Sequence, residues 1–140
     1  MIFIVEGKPQ GKARARTFYN KEIQRMQSIT PEQTKSYENL IRWKYKAAGG
    51  GYYSEIPLQV DIQAFYPVPK SFSKTKRNDA LNGVIRPTTK PDCDNIIKVV
   101  LDALNGVAYY DDKQVISVSC SKYYAETGYI KIQIKQAEEF

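Results

Sequence analysis

The 140-residue chain contains no histidine. That absence excludes sites built on imidazole, which include most zinc centres and any triad that relies on a histidine base. Only two cysteines are present, Cys93 and Cys120, too few for a disulfide framework. They read as small core residues in a reducing cytoplasm, which is the expected location. No stretch approaches the ~18 consecutive apolar residues of a membrane span. The opening Met1-Ile-Phe-Ile-Val-Glu meets charge too early for a secretory leader. A glycine-rich phosphate loop is missing, and the acids do not follow the Asp-x-Asp-x-Asp-Gly spacing of a calcium-binding hand. Neither a membrane partner nor a small-molecule cofactor is expected.

What is present describes one folded domain: 42% hydrophobic and 26% charged residues, with a net charge of +6. The charge is unevenly spread. Residues 90–113 carry five Asp against three Lys, so the rest of the chain is more basic than the total suggests. An acidic pocket inside a basic body suits a protein that gathers phosphates on its surface and a divalent cation on its acids.

The acids are Asp92, Asp94, Asp111 and Asp112. Pro91 biases Lys90 toward extended backbone. If the chain stays extended through Asp94, Asp92 and Asp94 point the same way, and two such carboxylates repel unless a cation lies between them. Hard oxygen donors suit Mg2+, with Mn2+ as a substitute. From Asn95 the pattern turns helical. Apolar residues from Ile96 to Val107 cover more than half the circumference and leave Asp94, Asn95, Lys98, Asp102 and Asn105 on a narrow polar stripe. Asn105-Gly106 ends the helix, with Gly106 as a left-handed cap. The chain then returns so that Asp111 or Asp112 can face Asp92 and Asp94. There are bland alternatives. An Asp before a helix caps its amides, and an Asp pair before a strand makes a turn. Either motif alone reads that way. Together, framing one buried helix with a lysine on its polar stripe, they read as a site.

The run Lys-Pro-Asp-Cys-Asp-Asn-Ile-Ile-Lys-Val-Val-Leu-Asp-Ala-Leu-Asn-Gly-Val-Ala-Tyr-Tyr-Asp-Asp-Lys-Gln-Val, Lys90 to Val115, closely resembles the signature of the RusA family of Holliday junction resolvases. That signature runs Asp-x-Asp-Asn-x-x-Lys, then Asp-Ala-Leu, then Asp-Asp-x-Gln-Val. A weaker likeness reaches Pro69 to Lys74 and the basic N-terminal segment. The resemblance implies a Mg2+-dependent endonuclease that acts as a homodimer on four-way DNA junctions. It places the metal-binding acids on Asp92, Asp94 and Asp112, with Asp111 as the neighbouring acid, and the functional lysine on Lys98. Asp102 matches a recurrent position read as supporting or structural. Cys93 departs from the pattern, which has an apolar residue there. On this reading the metal lowers the pKa of a bound water, and Lys98 offsets developing charge or orients that water.

Taken in order, Met1 to Glu6 reads as a strand. Gly7 to Arg16 reads as a flexible basic loop whose Lys12, Arg14 and Arg16 alternate toward a phosphate backbone. Phe18 and Tyr19 read as packing residues. Thr30-Pro31-Glu32-Gln33 predicts a capped helix start with Thr30 as N-cap, and the helix runs to about Ala48 with Tyr37, Leu40, Ile41, Lys44 and Tyr45 inward. Leu58 to Val68 alternates as a central strand. The segment from Lys70 to Lys90 holds six cations, Lys70, Lys74, Lys76, Arg77, Arg86 and Lys90, and one acid. It reads as a flap that orders on DNA, or as a solvated loop with a short helix. Residues 114–124 and 129–135 predict an antiparallel hairpin, and residues 137–140 a frayed tail.

The expected fold is α+β: a mixed, mainly antiparallel sheet of about four strands with two main helices on one face, and one parallel pairing allowed. The expected activity is resolution of four-way junctions by paired symmetric nicks, in recombination and repair, with a prophage origin as one setting. Two other readings stand beside it. One is a non-catalytic basic nucleic-acid-binding module whose acids are caps and turns. The other is a metal-dependent phosphohydrolase acting on nucleotides.

Overall fold

The computed structural model describes residues 1–14 and 16–138, with the side chain of Arg16 outside the described residues. Its main sheet contains β1 (Ile2–Glu6), β4 (Leu58–Pro67), β5 (Val115–Ala125) and β6 (Tyr129–Gln136), in the spatial order β1-β6-β4-β5. β6 is antiparallel to both β1 and β4, whereas β4 and β5 are parallel. The sheet is therefore mixed and mainly antiparallel, as the sequence predicts. Leu58, Val60, Ile62, Ala64 and Tyr66 of β4 are buried on one face, beside Ile130, Ile132 and Ile134 of β6 and Phe3 and Val5 of β1. That face takes α1 (Glu32–Ala47) and α3 (Cys93–Leu104), which share one core with it. Among the described residues, no helix is long and apolar enough to cross a membrane.

The last two strands do not form the predicted hairpin. β5 and β6 lie on opposite sides of β4, joined by residues 126–128. β4 buries a fully apolar face and so takes the centre, where both its edges find partners. β6, with three buried isoleucines, pairs between β4 and β1, while serine-rich β5 takes the edge. A second hairpin, β2 (Arg16–Asn20) with β3 (Arg25–Ile29), goes unanticipated. Phe18, Tyr19, Met26 and Ile29 are all exposed there, so Phe18 and Tyr19 do not pack on the body. The hairpin's register rests on its own ladder and on small polar pairs: Thr17 to Ser28 at 3.2 Å, and Asn20 donating to Gln27 at 2.8 Å.

Two helix boundaries shift. α1 begins after Pro31 without a side-chain cap, so Thr30 is not the N-cap. Leu40 is exposed, and the buried stripe instead runs through Thr34, Tyr37, Glu38, Ile41 and Tyr45. The cause is charge pairing: Glu38 turns inward to meet Lys12. The segment from Lys70 to Lys90 is not structureless. It contains α2 (Lys74–Leu81), whose N-cap Ser73 accepts from the Lys76 amide at 3.2 Å.

These burial differences set a stability expectation. Ile132→Ala, at the buried centre of the sheet, should lower unfolding free energy by about 2–5 kcal/mol. Val84→Ala, 73% exposed, should change it by less than about 0.5 kcal/mol. Urea titration reads both, and equal losses would contradict this packing.

Candidate active site

α3 carries the acids, and its sequence explains its placement. Ile96, Val99, Val100, Ala103 and Leu104 are completely buried, so the helix is fixed in rotation. The helix starts at Cys93 rather than after Asp94, so Asp92 and Asp94 do not alternate along a strand. Asp92 is the N-cap residue, in extended conformation, yet its carboxylate makes no cap bond. Asp94 lies in the first turn, where the helix dipole favours an anion. Both side chains are exposed, and among the described residues neither enters a hydrogen bond or ion pair. The capping alternative therefore fails for Asp92. Lys98 follows Asp94 by one turn and is also exposed.

This end of α3 is held from several directions. Tyr66 of β4 donates to the Pro91 carbonyl at 2.7 Å, and the Lys12 amide donates to the Asn95 carbonyl at 3.0 Å. Gly11 sits so close that a Cβ there would lie 2.9 Å from side-chain carbons of both Pro91 and Asn95. The Cys93 thiol points to the sheet and donates to the Cys120 carbonyl at 3.6 Å. Burial, and the adjacent Cys93, push the Cys120 thiol up to about 12, so Cys120 is an unreactive packing group here. Alongside lies a cleft of about 400 Å³, lined by Lys8, Tyr66, Lys70, Thr89 and Tyr124 among others.

Asp111 and Asp112 stand elsewhere. Asp111 caps the short 3-10 turn Asp112–Gln114, accepting from the Lys113 amide at 2.9 Å. Gln114 completes a capping box and also donates to the carbonyls of Tyr53 and Ile56. Asp111 is thus committed to structure, and the Asp112 carboxyl is hydrogen-bonded to it. The Lys113 amide holds Asp111 below the usual carboxylate range, helped by the bond to Asp112. Partial burial, then Asp111 and Asp102, hold Asp112 above that range. The acids near Asp112 are therefore Asp111 and Asp102. Asp92 and Asp94 lie at the other end of α3, as its N-cap and in its first turn, and the helix's 12 residues span about 18 Å. Among the described residues, no group of three or more potential ligands is close enough to hold a metal ion. The oxygen donors are the right type for Mg2+, but one chain does not gather them. The expectation that α3 returns Asp112 to face Asp92 and Asp94 does not hold within a single copy.

The cations divide. Arg14, Lys70, Lys74, Lys76 and Lys90 are exposed, Lys76 lying 4.2 Å over the Phe72 ring. Arg77 is within 3.8 Å of Glu126. Arg86 lies 3.9 Å from the Tyr123 ring centre and donates to the Lys122 carbonyl. The side chain of Arg16 is outside the described residues. Lys12 turns inward, 2.8 Å from Glu38 and 3.2 Å from Asp102, while Arg42 approaches Glu38 at 3.5 Å and donates to the Ala103 carbonyl. Burial lowers the Lys12 pKa, but the Glu38 and Asp102 carboxylates outweigh it and hold it above its ordinary value. Sequence reasoning missed this tie, the Tyr66 anchor and the role of Gln114. Only the last left a signal, in its Asp-x-x-Gln spacing.

Lys12→Met should accordingly lower stability by about 1–3 kcal/mol, because it leaves Glu38 short of a partner. Arg14→Met, at an exposed position, should stay within about 0.5 kcal/mol. If thermal unfolding ranks them the other way, Lys12 is a surface cation after all.

Comparison of the sequence with known proteins points to one family. The sequence model of endodeoxyribonuclease RusA matches residues 6–135. A Bacillus subtilis (strain 168) protein, uncharacterized protein YqaN, is 34% identical over 135 residues, covering 95% of this chain and 89% of the relative. The match spans the basic N-terminal loop, the acid-bearing helix, β4, β5 and nearly all of β6, and the chain belongs to the RusA family of endodeoxyribonucleases.

Proposed function

We propose that the protein is a structure-selective endodeoxyribonuclease that resolves four-way DNA junctions by paired symmetric nicks, in recombination and repair. The observation that carries this reading is the family membership over residues 6–135, together with two exposed, unpartnered aspartates at the head of α3 beside a basic cleft. Such carboxylates are poor features for stability and suited to holding a cation against phosphate. Mg2+, or Mn2+ in its place, is the proposed cofactor, with Asp92, Asp94 and Asp112 as its ligands. Lys98, exposed on the same helix, is proposed to face the reacting phosphate. Arg14, Lys70, Lys74, Lys76 and Lys90 are proposed to carry the DNA backbone. A homodimer fits a substrate whose paired strands are related by symmetry.

One gel tests this reading. A labelled immobile junction and a matched duplex are incubated with protein, with Mg2+ or EDTA. Junction-only nicks that require Mg2+, and that disappear in Asp92→Asn while binding is kept or tightened, are the expected result. A band shift with no cleavage in any lane would leave a basic binding module. In the same assay Lys98→Ala should reduce turnover more than affinity, and an unchanged rate would make Lys98 a helix-surface residue only.

A further inference from the structure

We infer that the open face of the sheet carries a pocket for one unpaired nucleobase, guanine by its chemistry, which stacks on Tyr129 and pairs at its edge with Glu6. The source of that base, a strand of branched DNA, rests on the nuclease reading above. The pocket itself rests on the geometry of the sheet.

The face of the main sheet away from α1 and α3 carries a row of side chains in one register across all four strands: Glu6 of β1, Tyr129 of β6, Phe65 of β4 and Tyr123 of β5. Phe65 stacks on Tyr129 with ring centres 4.3 Å apart and 15° between the planes, and on Tyr123 at 5.3 Å and 22°. These spacings follow the strand separation of about 4.8 Å, so the rings stand upright and turn their faces along the row. At the β5 end the row is closed, because Arg86 lies 3.9 Å from the Tyr123 ring centre. At the β1 end, no ring or cation among the described residues covers the outer face of Tyr129. The next position in register is Glu6. A stack that ends on a bare face accepts one more planar group.

A cavity of about 530 Å³ lies at that end, lined by Ile4, Glu6, Gly7, Thr127, Gly128 and Tyr129. Its size falls within the range of about 300–1,000 Å³ usual for ligand pockets. β1 is an edge strand, so a base can enter from the side with its sugar left outside. The walls are preformed. The Gly7 amide donates to the Gly128 carbonyl at 2.9 Å, and a Cβ at Gly128 would lie 2.9 Å from the Lys8 Cα. Ile4, an exposed apolar side chain, gives the base surface to cover.

Glu6 supplies the selection. It is exposed, and among the described residues it enters no ion pair or side-chain hydrogen bond. A carboxylate offers acceptors only. Guanine alone among the four bases has two adjacent donors on its pairing edge, N1–H and the N2 amino group. Adenine and cytosine set an acceptor beside their amino group, and the one donor of thymine lies between two carbonyls. The match requires an unpaired base, because pairing occupies that edge. A duplex hides it, whereas a branch point can release it at the cost of unstacking. Beyond Gly7, the exposed Lys8 lines the cleft beside the head of α3. It is placed to meet the phosphate of a nucleotide seated on Tyr129.

The test is base selection by the full chain in EDTA, where no cutting occurs. Short fluorescein-labelled thymidine strands carry one central guanine, hypoxanthine or thymine, and binding is read by anisotropy. The guanine strand should bind roughly tenfold more tightly than the thymine strand, as one bidentate contact allows. Hypoxanthine, which keeps N1–H but lacks the amino group, should fall between them. Glu6→Gln, isosteric and at an exposed position, should bring guanine down to the level of thymine. In carbon-edited nuclear magnetic resonance spectra, deoxyguanosine monophosphate should move the Ile4 methyl and Tyr129 ring signals. Equal affinity for the three strands, no binding by any of them, a guanine preference that survives Glu6→Gln, or shifts confined to other residues would overturn the inference. Guanine selection by a protein that cuts no junction would sink the nuclease reading and leave the pocket standing. Junction cutting without guanine selection would do the reverse.

Discussion

A parallel pair of strands cannot be joined by a tight turn. Its chain must travel back along the sheet before the second strand starts, and here α3 makes that journey between β4 and β5. Most of the molecule follows from this one requirement. The helix that crosses must bury a broad face, which is why its sequence is so apolar and its polar stripe so narrow. Residues before the crossing gather at one end of the sheet and residues after it at the other. The acids of a contiguous sequence signature are thereby separated in space by the same helix that makes them contiguous in sequence.

A second constraint acts on the N-terminal loop. Lys12, Glu38 and Asp102 come from the loop, α1 and α3, and they meet as one partly buried ionic group with Arg42 at its edge. Beside it, Gly11 lets the loop backbone approach Pro91 and Asn95 more closely than any side chain would allow. The loop is therefore a clasp across the two helices, set immediately beside the residues that lead into Asp92. Loss of one charge there leaves the others without compensation inside the fold, so the clasp acts as a unit.

Much of this was legible in the sequence. The alternation of β4, the apolar face of α3, the stop at Gly106, which has φ +79, and the overall α+β class all come from local periodicity and turn chemistry. Other features depend on distant partners. Strand order was hidden because residues 126–128 are short enough for a hairpin, and only competition for both edges of β4 sends β6 to its far side. The β2–β3 hairpin buries neither face, so no hydrophobic period announced it. Lys12 looked like a phosphate contact because Glu38 is 26 residues away. The candidate acids were identified by type and spacing, but spacing alone does not report that a straight helix keeps its two ends apart.

The aromatic row on the open face of the sheet has one further consequence. Tyr123, Phe65 and Tyr129 stack across three neighbouring strands, and Arg86 closes the row over Tyr123. Lys122, in the same strand, donates to Thr89 at the end of the basic segment. Two cations that seem available to a polyanion instead staple the chain between β4 and α3 onto the sheet. The electrostatic field of this domain is therefore narrower than its composition suggests. Of the cations between β4 and α3, Lys70, Lys74 and Lys90 stay exposed, without an ion pair among the described residues.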